Sequence, residues 1–210
     1  RIGLGQGDWE LNKGSAELSV ALLLALDDGE RWFNIADLGA GTGKTTDAIL
    51  EVMRKDESTI SIAQRCTFNL VELSWERLSE ARERIGRNRI NDLLDKRRAR
   101  LRVNPMCDSL EGYLETAKAG QLDMIVSSAA LHHCSFPDHY PWMYDALKDD
   151  GLLVIGDDYP WIYNSLTSFV GITWAYGGYG GFTSDITPHP VTEGVTTAYF
   201  GGPNSQLSVA

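Results

Sequence analysis

The stretch IADLGAGTGKTTDAI, Ile35 to Ile49, decides the fold. With Phe33 and Asn34 before it, its opening is an apolar run ending in an acid and a glycine, the mark of a buried strand. Its close runs into a helix with Ala48, Ile49, Val52 and Met53 on one side. Between them Gly39, Gly41 and Gly43 make a tight turn where backbone can approach a ligand closely. The turn nears three glycine patterns. A phosphate-wrapping loop needs G-x-x-x-x-G-K-[ST]. Counting back from Gly43-Lys44-Thr45 puts its first glycine where Leu38 stands, so the loop is one residue short of that backbone cradle. A dinucleotide turn needs G-x-G-x-x-G, and Lys44 occupies its third glycine position, where helix and strand must pack closely. The third pattern, an acid followed by G-x-G-x-G, is met in full by Asp37-Leu38-Gly39-Ala40-Gly41-Thr42-Gly43.

Strands and helices alternate outward from this turn. Residues 8–26 read as an amphipathic helix. CTFNLVELS reads as a second strand, and WERLSEARERIGRNRINDLLDKR as a long helix broken near Gly86. ARLRVNPMCD is a third strand, SLEGYLETAKAG a helix stopped by Gly120, LDMIVSSAAL a fourth strand, DHYPWMYDALKDDG a helix and LLVIGDD a fifth strand. Such alternation predicts an α/β fold: a doubly wound, mostly parallel sheet with helices on both faces and right-handed crossovers. After about Tyr159 the pattern turns rich in aromatics and glycine, with late strands expected in EGVTTAYFGG and QLSVA. The expected organisation is one domain over 1–210: a helical segment at 1–30, a ligand-binding core at 31–158, and an aromatic, glycine-rich part at 159–210 on the substrate side.

Size and charge narrow the function. The chain has 210 residues, enough for one full core. Its formal net charge is −10, which disfavours nucleic acid as a partner, because phosphate neutralisation needs a basic footprint. The one basic cluster, Arg82 to Arg102, also carries acids and apolar residues. It reads as a solvated helix face, with a local anion-binding patch as the alternative. The run VALLLAL is too short to span a bilayer, and no signal peptide is visible. Cys66, Cys107 and Cys134 are far apart and match no metal pattern, as expected of free thiols in a reducing, cytoplasmic setting. A small, neutral or cationic partner suits this charge better than nucleic acid or membrane, and a homodimer is compatible with it.

The acid-G-x-G-x-G turn resembles the first motif of the class I S-adenosylmethionine-dependent methyltransferases. Three further elements follow in that family's order: LVELS ending the second strand, NPMCDSL ending the third, and LDMIVSSAALHHC along the fourth, with ALKDDGLLVIGDD approaching the fifth. The resemblance covers roughly residues 30–158. It implies a seven-stranded Rossmann-like sheet and S-adenosyl-L-methionine as cofactor. It further implies that Asp37, Gly39, Ala40, Gly41 and Gly43 approach the methionine moiety, whose cationic amino group meets the acid. Glu72 is implied to take the ribose hydroxyls, with Leu73 beside it. Cys107, Asp108 and Ser109 are implied at the adenine, and Ser127 beside the cofactor on the fourth strand. Each acid also has a plainer reading: Asp37 can cap its turn, and Asp108 can cap the helix SLEGYL. The gap of 35 residues from Asp37 to Glu72 is long for the family and suggests an insertion around DESTISIAQR.

The acceptor is less legible. Methyl transfer from a sulfonium is an in-line displacement with an activated leaving group, so alignment and water exclusion dominate. Amide-methylating relatives carry Asn/Asp-Pro-Pro-aromatic after the fourth strand, where this chain has Ser127-Ser128-Ala129-Ala130. Metal-assisted relatives need an acid there, so no metal is expected, and Asp157-Asp158 reads as a solvated strand end. The expected acceptor is a small molecule. His133 is the candidate base, with His132 as its control and a structural role for both as the plainer alternative. Trp142, Tyr159, Trp161, Tyr163, Trp174, Tyr176 and Tyr179 either line an acceptor pocket or form a C-terminal core.

Overall fold

A computed structural model describes residues 7–134, 136–157, 172–175, 181–183, 198–200 and 206–209, with side chains over 12–134 and 138–157. Five parallel strands make the central sheet: β1 (Phe33–Leu38), β2 (Cys66–Glu72), β3 (Arg102–Cys107), β4 (Leu122–Ser128) and β5 (Leu147–Gly156). Their order is β3-β2-β1-β4-β5. The chain therefore runs outward from β1 to β3, then crosses back to the other side of β1. Ligands in open α/β sheets bind at the carboxyl ends of the strands where the order reverses, here between β1 and β4.

Side-chain alternation sorts the core onto two faces. Phe33, Ile35, Phe68, Leu70, Met124 and Val126 pack one way, beneath α1 (Gly7–Leu26), α2 (Lys44–Met53), α4 (Trp75–Gly86) and α5 (Ile90–Lys96). Ala36, Leu38, Val71 and Ile125 pack the other way, beneath α6 (Leu110–Thr116) and α7 (Phe136–Ala146). The doubly wound arrangement read from the sequence is thus present. At the amino ends of the strands, buried Asp123 accepts from Arg31, from the Asn34 backbone N–H and from Lys148, tying β4 to β1 and β5.

The expected insertion is a short helix, α3 (Glu57–Ala63), started by Asp56, whose carboxylate accepts from Ser58 N–H at 2.8 Å. The long basic helix is two helices, α4 and α5, parted after Gly86 as expected. Among the described residues the late strands do not extend the five-stranded sheet to seven. β6 (Ile172–Ala175) pairs antiparallel with β9 (Gln206–Val209), and β7 (Gly181–Thr183) pairs with β8 (Ala198–Phe200). The two expected late strands are thus present as β8 and β9. Tyr159, Trp161, Tyr163, Tyr176 and Tyr179 lie outside the described residues.

Candidate functional site

The glycine turn leaves β1 at Leu38. Gly39 and Ala40 both donate their N–H to Val71 O at 2.9 Å, so the end of β2 supports the turn from below. Gly43 has φ +75, and a Cβ there would meet Ala81 Cβ at 2.9 Å; this glycine lets α2 and α4 pack. Gly41 has φ +53, and a Cβ there would find nothing nearer than Gly39 O at 3.9 Å. Two glycines of one turn therefore do different work: Gly43 closes a helix contact, and Gly41 keeps room open beside the backbone. Arg84 of α4 donates from Nε to Thr42 O at 2.9 Å and ties the turn from the other side.

Asp37 sits under this turn, 1% exposed. Its Oδ2 accepts from Thr46 Oγ1 at 2.6 Å. Among the described residues its Oδ1, which is buried, has no hydrogen-bond partner. Burial pushes the carboxyl up from its ordinary 3.8 to about 6, against the pull of the Thr46 hydrogen bonds. An acceptor left unpaired in a buried site is costly to the fold, and a cation brought to the turn would satisfy it. The plainer reading also has support: Thr46 lies in the first turn of α2, and its hydroxyl and backbone N–H both hold the Asp37 carboxylate.

A stability prediction follows from Asp37. A carboxyl whose folded pKa exceeds its unfolded one favours the fold in its neutral form. That advantage is complete below pH 3.8 and is lost as pH rises to about 6. Asp37→Asn should therefore match the wild type near pH 4 in denaturant midpoint. Near pH 8 it should be more stable, by on the order of 2–3 kcal/mol. Equal stability at both pH values would mean that Asp37 ionises without penalty.

Glu72 ends β2 beside the turn. Its Oε2 accepts from Gly41 N–H and its Oε1 from Ser74 N–H, each at 3.1 Å. An ionised carboxylate offers about four lone-pair directions, so each oxygen keeps one for a further donor. Leu73 follows with its side chain exposed, and exposed Met106 and Cys107 end the neighbouring β3, where Glu72 pairs with Cys107. This makes an apolar ledge beside a carboxylate. Cys107 Sγ lies 3.3 Å from Leu73 O as a donor. Asp108 is turned back toward α6, its Oδ1 accepting from Ser109 N–H at 2.8 Å. The cap of α6 is Ser109, whose Oγ accepts from Gly112 N–H at 2.9 Å, not Asp108. Gly112 leaves the space that Asp108 fills, since a Cβ there would stand 2.3 Å from Asp108 Oδ1.

On the other side of β1, Ser127 is buried and donates to Leu38 O at 2.9 Å, pinning β4 to the start of the turn. Among the described residues buried Ser128 Oγ has no partner. Ala129 has φ +52, a left-handed conformation that bends the chain out of β4. The bend places Ala130 against Gly39, where a Cβ would approach Ala130 Cβ to 2.4 Å. A 3₁₀ turn, Leu131–His133, follows.

The two histidines of that turn differ. His132 Nδ1 lies 3.2 and 3.1 Å from the two carboxylate oxygens of Asp157, which is buried at the end of β5. Asp157 is therefore not the solvated strand end expected from sequence. Asp158 lies outside the described residues. His133 is exposed, its ring 4.0 Å from that of His132. Sequence reasoning missed the partner of His132 and the anchoring by Arg84, since 25 and 42 residues separate these pairs and no local pattern marks them. Among the described residues no three His, Cys, Asp or Glu side chains converge as a metal site.

The structure thus brings Asp37, the glycine turn, Glu72, Leu73, Cys107 and Ser127 to one end of the sheet, with the histidine turn beside β4. A family model described as "Putative S-adenosyl-L-methionine-dependent methyltransferase" matches residues 16–147. Among solved structures, a precorrin-6y C5,15-methyltransferase from Geobacter metallireducens is 11% identical, with 93% of this chain and 86% of that chain covered at a TM-score of 0.52. The CurJ carbon methyltransferase is 18% identical over 69% of this chain and 34% of its own, at a TM-score of 0.49. A methyltransferase from Thiobacillus denitrificans in complex with S-adenosyl-L-homocysteine is 15% identical over 68% of this chain and 47% of its own, at 0.41. The chain spans only 34% and 38% of the length of the two carbon methyltransferases it matches. Comparison with curated proteins gives no match.

Proposed function

The chain belongs to the S-adenosyl-L-methionine-dependent methyltransferases, whose family model covers more than half of it, and on that premise we propose that it methylates a small-molecule acceptor. The observation that carries the cofactor part of this reading is Asp37 Oδ1, unpartnered among the described residues, beneath a glycine turn with open room at Gly41. These two features suit a cationic ligand drawn close to the backbone. When bound, the cofactor supplies a sulfonium-activated methyl group.

The chain's own residues divide the remaining work. Asp37 attracts the ammonium of the methionine moiety, and Gly39, Ala40, Gly41 and Gly43 let backbone reach it. Glu72 offers its two remaining lone pairs to the ribose hydroxyls, a bidentate task suited to a carboxylate. Leu73 and Cys107 give the adenine an apolar ledge, with Asp108 and Ser109 at its edge and Ser127 fixing the turn. The histidine turn supplies the proton acceptor. His133 faces outward to take a proton from the acceptor, while Asp157 holds His132 against it. The proposal treats residues 1–210 as one domain with the acceptor bound on the side of 159–210.

Glu72→Ala should weaken S-adenosyl-L-methionine binding by on the order of 2–4 kcal/mol, from about 1.5–3 for each charge-assisted hydrogen bond less some replacement by water. Calorimetry on the folded variant checks this, and an unchanged dissociation constant would reject the ribose assignment. Turnover itself is tested by release of S-adenosyl-L-homocysteine across a panel of small acceptors. Binding without release on any acceptor would favour a non-catalytic cofactor-binding subunit.

A further inference from the structure

At the end of the sheet opposite the glycine turn, three neighbouring strands begin level with one another. Phe33 pairs with Cys66, and Thr67 with Arg102. Trp32 and Arg65 are therefore level along the amino edge, and Arg102 lies two residues further into its strand. The turn from α5 into β3 adds Arg98 and Arg100. With Gln64 and Ala99 these residues line an open groove of about 500 Å³. The six residues of β1 set it roughly 20 Å from the glycine turn, at about 3.3 Å per residue. It is a separate place on the molecule.

Arginines dominate this groove, which has no carboxylate among its lining residues. Several arginines elsewhere find acids: Arg31 takes Asp123 and Asp150, Arg54 takes Glu51, Arg87 takes Glu83 and Arg97 takes Glu57. Arg65 is held by Asp27 at 2.7 and 3.0 Å and donates to Arg31 O. Among the described residues no carboxylate pairs with Arg98, Arg100 or Arg102. Arg102 instead lies over the Trp32 ring, 4.0 Å from its centroid. Stacking there orders the guanidinium plane and leaves its N–H edge for an anion. Arg98 has φ +56, with its N–H bonded to Asp95 O at 2.9 Å, so the turn fixes where that side chain starts. Three exposed guanidiniums thus line one groove without a paired carboxylate, on a chain of net charge −10, and their mutual repulsion adds nothing to the fold.

The structure assigns this groove to a phosphate monoester. Guanidinium forks match phosphate oxygens two at a time, and the charge of a monoester, close to −2 at neutral pH, offsets most of the charge of the three arginines. Trp32, more than half exposed, gives the organic part of the ester an aromatic surface. The basic cluster seen in the sequence thus resolves into two parts. In its α4 and α5 portions Arg87 pairs with Glu83 and Arg97 with Glu57, and its last three arginines line the groove. The inference does not rest on the methyltransferase reading.

The test is calorimetric titration of the whole chain with phenyl phosphate at low ionic strength. We expect a dissociation constant below about 1 mM, weakened at least roughly tenfold in the double variant Arg98→Ala/Arg100→Ala. Arg89→Ala, in the charged cleft between α2 and α4, should bind as the wild type does. All three changes remove exposed side chains, and an unchanged thermal midpoint confirms the fold. Saturating S-adenosyl-L-homocysteine should leave phenyl phosphate binding intact. The proposal is overturned by the absence of binding up to roughly 10 mM, by equal binding in the double variant, or by displacement with S-adenosyl-L-homocysteine. Inorganic phosphate binding as tightly as the ester would also overturn it, in favour of the free ion.

Discussion

His133→Ala should lower turnover by roughly 10²- to 10⁴-fold, the usual contribution of a positioned general base, while leaving the cofactor's dissociation constant nearly unchanged. The separation follows from place. The residues proposed to hold the cofactor stand at the ends of β1, β2 and β3, whereas His133 closes the 3₁₀ turn after β4. Its ring is exposed and touches the His132 ring. His132 is held at Nδ1 by the buried Asp157 carboxylate, an arrangement that fixes ring orientation. His132→Ala and Asp157→Asn should therefore cost less than His133→Ala, through looser placement of the turn. If the loss instead follows His132 and Asp157 together and spares His133, the base is the carboxylate-bound imidazole. If none of the three changes turnover, the acceptor arrives already deprotonated and the turn only positions it.

Gly41→Val should remove S-adenosyl-L-methionine binding while the sheet still folds, with a loss above roughly 100-fold, or about 3 kcal/mol. Among the described residues a Cβ there meets nothing nearer than Gly39 O at 3.9 Å. What is lost is room for the ligand, at a fold cost limited to a left-handed backbone, about 1–2 kcal/mol. Gly43→Ala should do the reverse. Its Cβ would press on Ala81, including backbone at 3.1 Å, so the expected effect is destabilisation of about 1–3 kcal/mol from overpacking between α2 and α4. Lys44→Ala should change cofactor affinity little, since no phosphate is held at this turn. Denaturant midpoints and calorimetry on the same three variants separate fold from binding. Loss of binding in Lys44→Ala, with Gly41→Val unaffected, would mean that the turn cradles phosphate after all.

The parts of this architecture written locally were legible in the sequence. β1, β2 and β4 are short, largely apolar runs, and the residues at the ends of β1 to β4 fall where the chain turns, so their gathering at one edge follows from parallel order alone. The start of β5 was not legible, because Lys148, Asp149 and Asp150 read as the polar end of a helix and instead open the strand. The helix α3 was not legible, because Thr59, Ile60 and Ile62 are β-branched; burial of both isoleucines and the Asp56 cap override that preference. The break after Gly86 was legible, since glycine interrupts an otherwise continuous pattern. The Asp157–His132 pair was not, because it depends on β4 and β5 lying in register, with Ser128 opposite Gly156. Nor was the partition of labour among the three glycines, which depends on Ala81 and Ala130 arriving from elsewhere in the chain.

The most direct test of the central claim, that this sheet edge holds S-adenosyl-L-methionine at the glycine turn, is calorimetric titration of the intact protein with that cofactor. The same titration is repeated on Gly41→Val and with magnesium and ATP. The account predicts one-to-one binding by the wild type, none by the variant, and no heat with the nucleotide. Magnesium-dependent ATP binding in a protein silent to S-adenosyl-L-methionine would contradict it.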